Sequence, residues 1–295
     1  MEATLKLKDG RILAYGVYGS TGASGSLPVF DFHGIPGSRR EAALIASYLQ
    51  RDDLCMVGFD RPGYGHSSPK KQFKISDLPT DVCQLADHLG YERFAVLGYS
   101  GGGPFALACA IQAPERVAAL GLVSAVGPAD TGSAGMHESN RKKFNMAQQM
   151  PWLARTMLWV VFSGLRHSPA RLEKQLRSIW QQMPEPDRQV LAHDARFADG
   201  ILAITRDAIS NGVSGWVNEE IMMASPWPFN VRALQGMPVF LWHGAQDRNV
   251  PVTMARALAE QIANCQAEIV ENEGHISLLY HRGAQIMNVL HRAAK

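Results

Sequence analysis

The chain has 295 residues, 46% of them apolar, and a formal net charge of +2. That length accommodates one large α/β domain with an insertion or two small domains, and the apolar share suits a globular protein with a sizeable core. So small a charge argues against nucleic acid or a membrane surface as partner, and the basic run Arg141 to Lys143 reads as a solvated helix face. Cys55, Cys83, Cys109 and Cys265 are scattered, with no CxxC and no metal-type spacing, so buried free thiols are expected; the serine chemistry read below needs no metal or cofactor. The segment Met1 to Lys8 lacks the apolar core of a signal peptide, and no run approaches a membrane span. The default expectation is a soluble, cytoplasmic protein, for which a homodimer is an allowed assembly.

In chain order, two alternating runs, Thr4 to Lys8 and Arg11 to Tyr18, flank Asp9-Gly10 and predict a hairpin. Gly22 to Ser26 is a loop of small residues. Pro28 to Phe32 is a strand ending in His33-Gly34-Ile35-Pro36-Gly37, followed by a helix from Glu41 to Leu49. Next come a strand, Leu54 to Phe59, and a loop, Asp60 to Ser68, then a helix from Ser76-Asp77 to Leu89, stopped by Gly90. Arg93 to Leu97 and Val117 to Val126 read as buried strands around an alanine-rich helix, Gly103 to Gln112. The alternation breaks at Gly127-Pro128. From Asp130 to Pro228 the pattern is helical, clearest at Pro151 to Phe162, Leu172 to Trp180 and Asp187 to Phe197. Strand and helix then resume: Pro238 to Trp242, Thr253 to Ile262, Ala267 to Val270, and a closing helix from about Ser277. The expected architecture is α/β, a mostly parallel eight-stranded sheet flanked by helices. Residues 1–129 and 229–295 would form the core, and 130–228 an inserted helical lid.

The chemistry concentrates at Gly98-Tyr99-Ser100-Gly101-Gly102, a G-x-S-x-G sequence between a strand and a helix. A serine there sits in a strained turn that lifts its hydroxyl clear of the backbone, and small neighbours let strand and helix approach. The N–H of Gly101, at a helix N-terminus, suits a developing oxyanion. A serine hydroxyl needs a base, and that base needs an orienting group. Active groups in such a sheet collect at the carboxyl ends of parallel strands. Asp247 follows one such strand, and His275 follows the last one, in Glu271 to Ile276. Asp60 is a rival acid, read as a turn residue pairing locally with Arg61; Asp130 is a weaker rival. His33 and His243 suit loop-holding roles, and His66 is a lesser candidate for touching substrate. A second oxyanion donor is expected from Ile35 N–H, and such a donor contributes ~2.7–4 kcal/mol to transition-state stabilisation.

Together, HGIPG, DRPGYGHSS, GYSGG, HGAQDRNVP and EGHISLL resemble the α/β-hydrolase superfamily, in its lid-bearing serine hydrolase branch with an HGxP oxyanion loop. The resemblance covers nearly the whole chain. It implies Ser100, Asp247 and His275 as triad, Ile35 and Gly101 as oxyanion hole, and 130–228 as lid. Serine at 100 departs from epoxide hydrolases and haloalkane dehalogenases, whose nucleophile is aspartate. Gly101-Gly102 departs from proline iminopeptidases, which typically place tryptophan after the nucleophile.

The expected activity is hydrolysis of a carboxylic ester or lactone of a small to medium apolar substrate. A carbon–carbon bond hydrolase, an amidase or aminopeptidase, or a non-hydrolytic biosynthetic enzyme would use the same residues. A hydrolase-fold ligand receptor is the alternative of a different class. The Trp and Met side chains of the lid are expected mainly in its core, with some facing the pocket.

Overall fold

A computed structural model describes residues 1–19, 27–49 and 53–294. The loop expected at Gly22 to Ser26 lies outside the described residues. Eight strands form one sheet: β1 (Glu2–Lys6), β2 (Ile12–Gly19), β3 (Val29–Phe32), β4 (Cys55–Phe59), β5 (Phe94–Tyr99), β6 (Val117–Val123), β7 (Val239–Gly244) and β8 (Cys265–Val270). Their order is β1-β2-β4-β3-β5-β6-β7-β8. β2 is antiparallel to β1 and β4, and every other pairing is parallel. The expected mostly parallel sheet with an antiparallel opening is therefore present.

Side chains alternate across the sheet with period two, so each strand supplies both layers of the core. Phe94 and Val96 of β5 join one layer with α2 (Leu78–Leu89), α3 (Gly103–Gln112) and α10 (Val252–Gln261). Ala95 and Leu97 face the other, against α1 (Arg40–Leu49) and α11 (His275–Ala293). Between β6 and β7 the chain builds six helices: α4 (Glu138–Gln149), α5 (Pro151–Arg166), α6 (Pro169–Trp180), α7 (Glu185–His193), α8 (Ala195–Ala208) and α9 (Ser214–Met223). Three helical stretches are legible in the sequence of this insertion, the third running across the break between α7 and α8; α4, most of α8 and α9 are not marked there. Two apolar clusters hold it, one around Phe144, Leu158, Phe162 and Trp216, the other around Trp180, Phe197 and Leu202. Trp152 and Trp159 of α5 stay exposed, contrary to the expectation of mainly buried tryptophans. Among the described residues no helix is long and apolar enough to cross a membrane.

Other differences are local. The hairpin strands sit two residues nearer the N-terminus in β1, and the closing helix starts at His275 rather than Ser277. Asp60 does not pair with Arg61. It accepts from Arg39 N–H (2.7 Å) and Arg39 Nη1 (2.8 Å), and from His66 N–H (2.9 Å). Arg61 points the other way, toward the helical insertion, where the Glu219 carboxylate supplies the counter-charge that a fully buried guanidinium needs.

Asp31, at the middle of β3, is fully buried with neither carboxylate oxygen hydrogen-bonded. Burial pushes its pKa up to about 7, partly offset by the Arg61 charge. The buried Glu41 carboxyl is raised as well, by burial and then by the Asp31 charge. A carboxyl raised in the folded state binds protons that the unfolded chain releases, so stability falls as pH climbs from 3.8 through about 7. Asp31→Asn is expected to flatten this fall. Its thermal midpoint, followed by circular dichroism against pH, should move in the variant's favour relative to wild type as pH rises through that window.

Candidate active site

β5 ends at Tyr99 and the chain enters α3 through a single 3-10 turn, Ser100 to Gly102. Ser100 takes φ +52°, a left-handed value that side-chain-bearing residues seldom adopt. Two glycines permit the turn. A Cβ at Gly102 would collide with the Phe32 carbonyl, and one at Gly98 would lie 2.8 Å from Gly103 Cα, at the crossing of strand and helix.

Three separate carboxyl-end loops meet at this turn. His275 Nε2 lies 3.0 Å from Ser100 Oγ, and His275 Nδ1 lies 2.6 Å from Asp247 Oδ2. An acceptor at Nδ1 fixes the tautomer: Nδ1–H donates to the carboxylate and Nε2 is free to accept from the serine hydroxyl. Burial alone would lower the His275 pKa. The Asp247 charge and hydrogen bond, followed by the charge of Asp187, raise it above its ordinary value. The other Asp247 oxygen accepts from Asn249 N–H (2.8 Å) and Val250 N–H (2.9 Å). His243 Nε2–H donates to the Val250 carbonyl (2.9 Å), so His243 holds the loop that presents Asp247.

Ile35 and Gly101 meet on the other side of Ser100. The Ile35 side chain occupies the space that a Cβ at Gly101 would need, and Gly34 packs against Tyr99 and Ser100. The Gly34 carbonyl accepts from His33 Nδ1–H (2.8 Å) and Arg61 Nη2 (3.2 Å). His33 is fully buried; burial and then the Arg61 charge push its pKa well down, leaving it neutral. A trans peptide is planar, so a carbonyl held on one edge fixes the N–H of the next residue on the opposite edge. Anchoring Gly34 C=O thus sets the direction of Ile35 N–H.

That anchor reaches into the helical insertion. Arg61 donates from Nε and Nη2 to the two oxygens of Glu219 on α9, both at 2.7 Å, and from Nη1 to the His33 carbonyl at 2.5 Å. Tyr64 O–H donates to the same carboxylate at 2.9 Å. Arg61 and Glu219 are both fully buried. Sequence reading missed Glu219, Glu41 and Asp187. Nothing in a helical run marks one acid among several as buried. His66 is half-exposed, outside the cavity wall, and Asp130 lies in a short 3-10 turn away from the triad contacts.

Ser100 opens onto a cavity of about 860 Å³ between the sheet and the helical insertion. Its wall is mainly apolar, including Ile35, Leu44, Tyr48, Phe144, Trp180, Met183 and Trp216. The acidic side chains on the wall are committed. Glu220 accepts from Lys143 Nζ (2.5 Å) and Trp216 Nε1 (3.0 Å), and Glu41 accepts Gly34 N–H on both oxygens (3.1 Å).

The model of the alpha/beta hydrolase fold matches residues 28–282. The chain belongs to the α/β-hydrolase family. A dihydrolipoyllysine-residue acetyltransferase component of the acetoin cleaving system from Cupriavidus necator is 36% identical over 230 residues, 77% of this chain and 53% of that protein. The chain thus spans about half the length of that relative. A 2-hydroxymuconate semialdehyde hydrolase from Pseudomonas putida is 25% identical over 262 residues, covering 86% of this chain and 82% of the relative. A thermophilic esterase from Thermogutta terrifontis superposes with a TM-score of 0.71 at 20% identity, over 100% of both chains, a likeness of fold.

The Arg61–Glu219 pair makes a direct prediction. Glu219→Gln leaves a buried guanidinium uncompensated, which costs about 3–5 kcal/mol. Urea unfolding should report that loss. Where the variant stays folded, its turnover should fall as well, because Arg61 also holds the Gly34 peptide.

Proposed function

We infer that this α/β hydrolase is a serine hydrolase that cleaves a carboxylic ester or lactone of a small to medium apolar substrate. The observation that carries the reading is the hydrogen-bonded series Ser100–His275–Asp247, of which Ser100 and His275 line the apolar cavity. Ser100 Oγ attacks the acyl carbon while His275 Nε2 takes its proton; Asp247 orients the ring and stabilises the imidazolium. Ile35 N–H and Gly101 N–H stabilise the oxyanion, whose donors act without reorganising because their backbone is anchored. The imidazolium protonates the leaving oxygen, and water, deprotonated by His275, releases the acid from Ser100. The helical insertion, 130–228, is the lid that roofs the pocket over the core formed by 1–129 and 229–295.

The cavity favours an uncharged substrate. Binding the free ammonium of an amino-terminal residue would need an uncommitted carboxylate, and Glu220 and Glu41 already have partners. The likeness to the semialdehyde hydrolase supports a second reading, cleavage of a carbon–carbon bond beside a carbonyl by the same triad. The two are separated by product analysis on a panel of p-nitrophenyl esters, lactones and vinylogous diketones.

Fluorophosphonate should add one adduct to the wild-type intact mass and none to Ser100→Ala; a well-folded wild type that resists probes of every size would refute the reading. Because His275 must be neutral to act as base and its pKa is raised, kcat/KM is expected to fall on the acid side below a limb above pH 6.5. Asp247→Asn should lower kcat on the order of 10⁴-fold, as measured by ester hydrolysis.

A further inference from the structure

Asp187 is a fully buried carboxylate that the steps above do not use. It lies in the first turn of α7, within the helical insertion, yet its partners belong to α11. One oxygen accepts His275 N–H at 3.0 Å; the other accepts Ile276 N–H and Ser277 N–H, both at 2.9 Å. These are N–H groups at a helix start that have no partner inside the helix. A side chain at Gly274 would occupy the place of the Asp187 carboxylate, so the glycine before the histidine admits it. On the opposite side, the His275 carbonyl accepts from Tyr99 O–H (3.2 Å) and Ser124 O–H (3.3 Å). The His275 backbone is thus held by the core from one side and by the insertion from the other.

We propose that Asp187 is a positioning residue: by seating α7 against the start of α11, the helical insertion sets the His275 ring between Asp247 and Ser100. The proposal rests on the serine-hydrolase reading. Trp180 and Met183 line the cavity shortly before Asp187 in the chain. The stretch of chain that carries Asp187 thus also contributes to the cavity wall. A plain helix cap would stabilise the fold and leave the chemistry untouched.

The groups around His275 separate the two roles. Asp247 and Asp187 are the carboxylates whose charges favour the imidazolium. His243 is kept neutral, its pKa lowered by burial, and burial raises the Tyr99 phenol well above its ordinary value. Glu41, on α1, is held toward its protonated form by burial. Removing the Asp187 charge thus shifts the His275 titration to lower pH.

The test compares wild type, Asp187→Asn and Asp187→Glu by kcat and KM against pH with a p-nitrophenyl ester. Fluorophosphonate labelling of Ser100 is followed in parallel, and His275 is titrated by NMR with carbon-labelled histidine, assigned through His275→Gln. In Asp187→Asn, kcat is expected to fall roughly 100-fold with KM little changed. Its acid limb and His275 titration should both move to lower pH. Asp187→Glu keeps the charge but displaces the carboxylate, so the limb should stay while kcat remains low. A folded Asp187→Asn with wild-type kcat and an unmoved His275 titration overturns the proposal. If that variant unfolds, wild-type kcat in Asp187→Glu does the same. A wild type that neither turns over esters nor labels at Ser100 refutes the serine-hydrolase reading instead. The His275 titration then still shows whether Asp187 acts on that imidazole.

Discussion

The left-handed turn at Ser100 is the constraint on which the rest of the structure depends. A residue with a side chain at φ +52° is held there by its surroundings. Here β5 lies at the centre of the sheet, paired on both edges, and α3 is buried along most of its length. Neither element has freedom to relax, so the strain stays at the serine. The close crossing demands glycine at 98 and 102, where a Cβ would strike backbone or a neighbouring side chain. The hydroxyl is thereby presented at the carboxyl edge of the sheet, where the loops after β3, β7 and β8 also end.

Around that turn the structure uses buried charge to fix backbone direction. Asp247 is anchored by two N–H donors and Gly34 C=O by Arg61 and His33. Each anchor is itself buried and hydrogen-bonded, as a charged group out of water must be. The consequence is a site whose backbone groups are held in fixed directions before anything binds.

The helical insertion is tied into this frame from two directions. Glu219 of α9 completes the Arg61 pair under the loop after β3, and Asp187 of α7 meets the start of α11. Ile276 also belongs to the apolar cluster of the insertion. Core and insertion therefore share hydrogen-bonded groups that neither can satisfy alone. Parting the two would leave Arg61 without its counter-charge and the first N–H groups of α11 without an acceptor.

The sequence by itself determined the fold class and the meeting of Ser100, Asp247 and His275. Those follow from short-range rules: period-two apolar runs make buried strands, and a serine among glycines between strand and helix makes the elbow. An acid and a histidine at later strand ends converge because parallel strands all end on one edge. The glycines at 98, 101 and 102 were legible for the same reason, since their demand is local. Tertiary structure decided the partners of the buried charges. Asp60 reads in the sequence as a turn residue pairing with its neighbour Arg61, yet its partner is Arg39, and Arg61 reaches Glu219, 158 residues away. Asp187 falls in a helical run indistinguishable from a solvated one until α7 packs on α11. Exposed Trp152 and Trp159 make the same point in reverse. Residue type states what a side chain requires, a counter-charge or an apolar wall. Which group meets that requirement, when it lies more than a hundred residues away, is set by the packing of helices whose faces the sequence pattern leaves open.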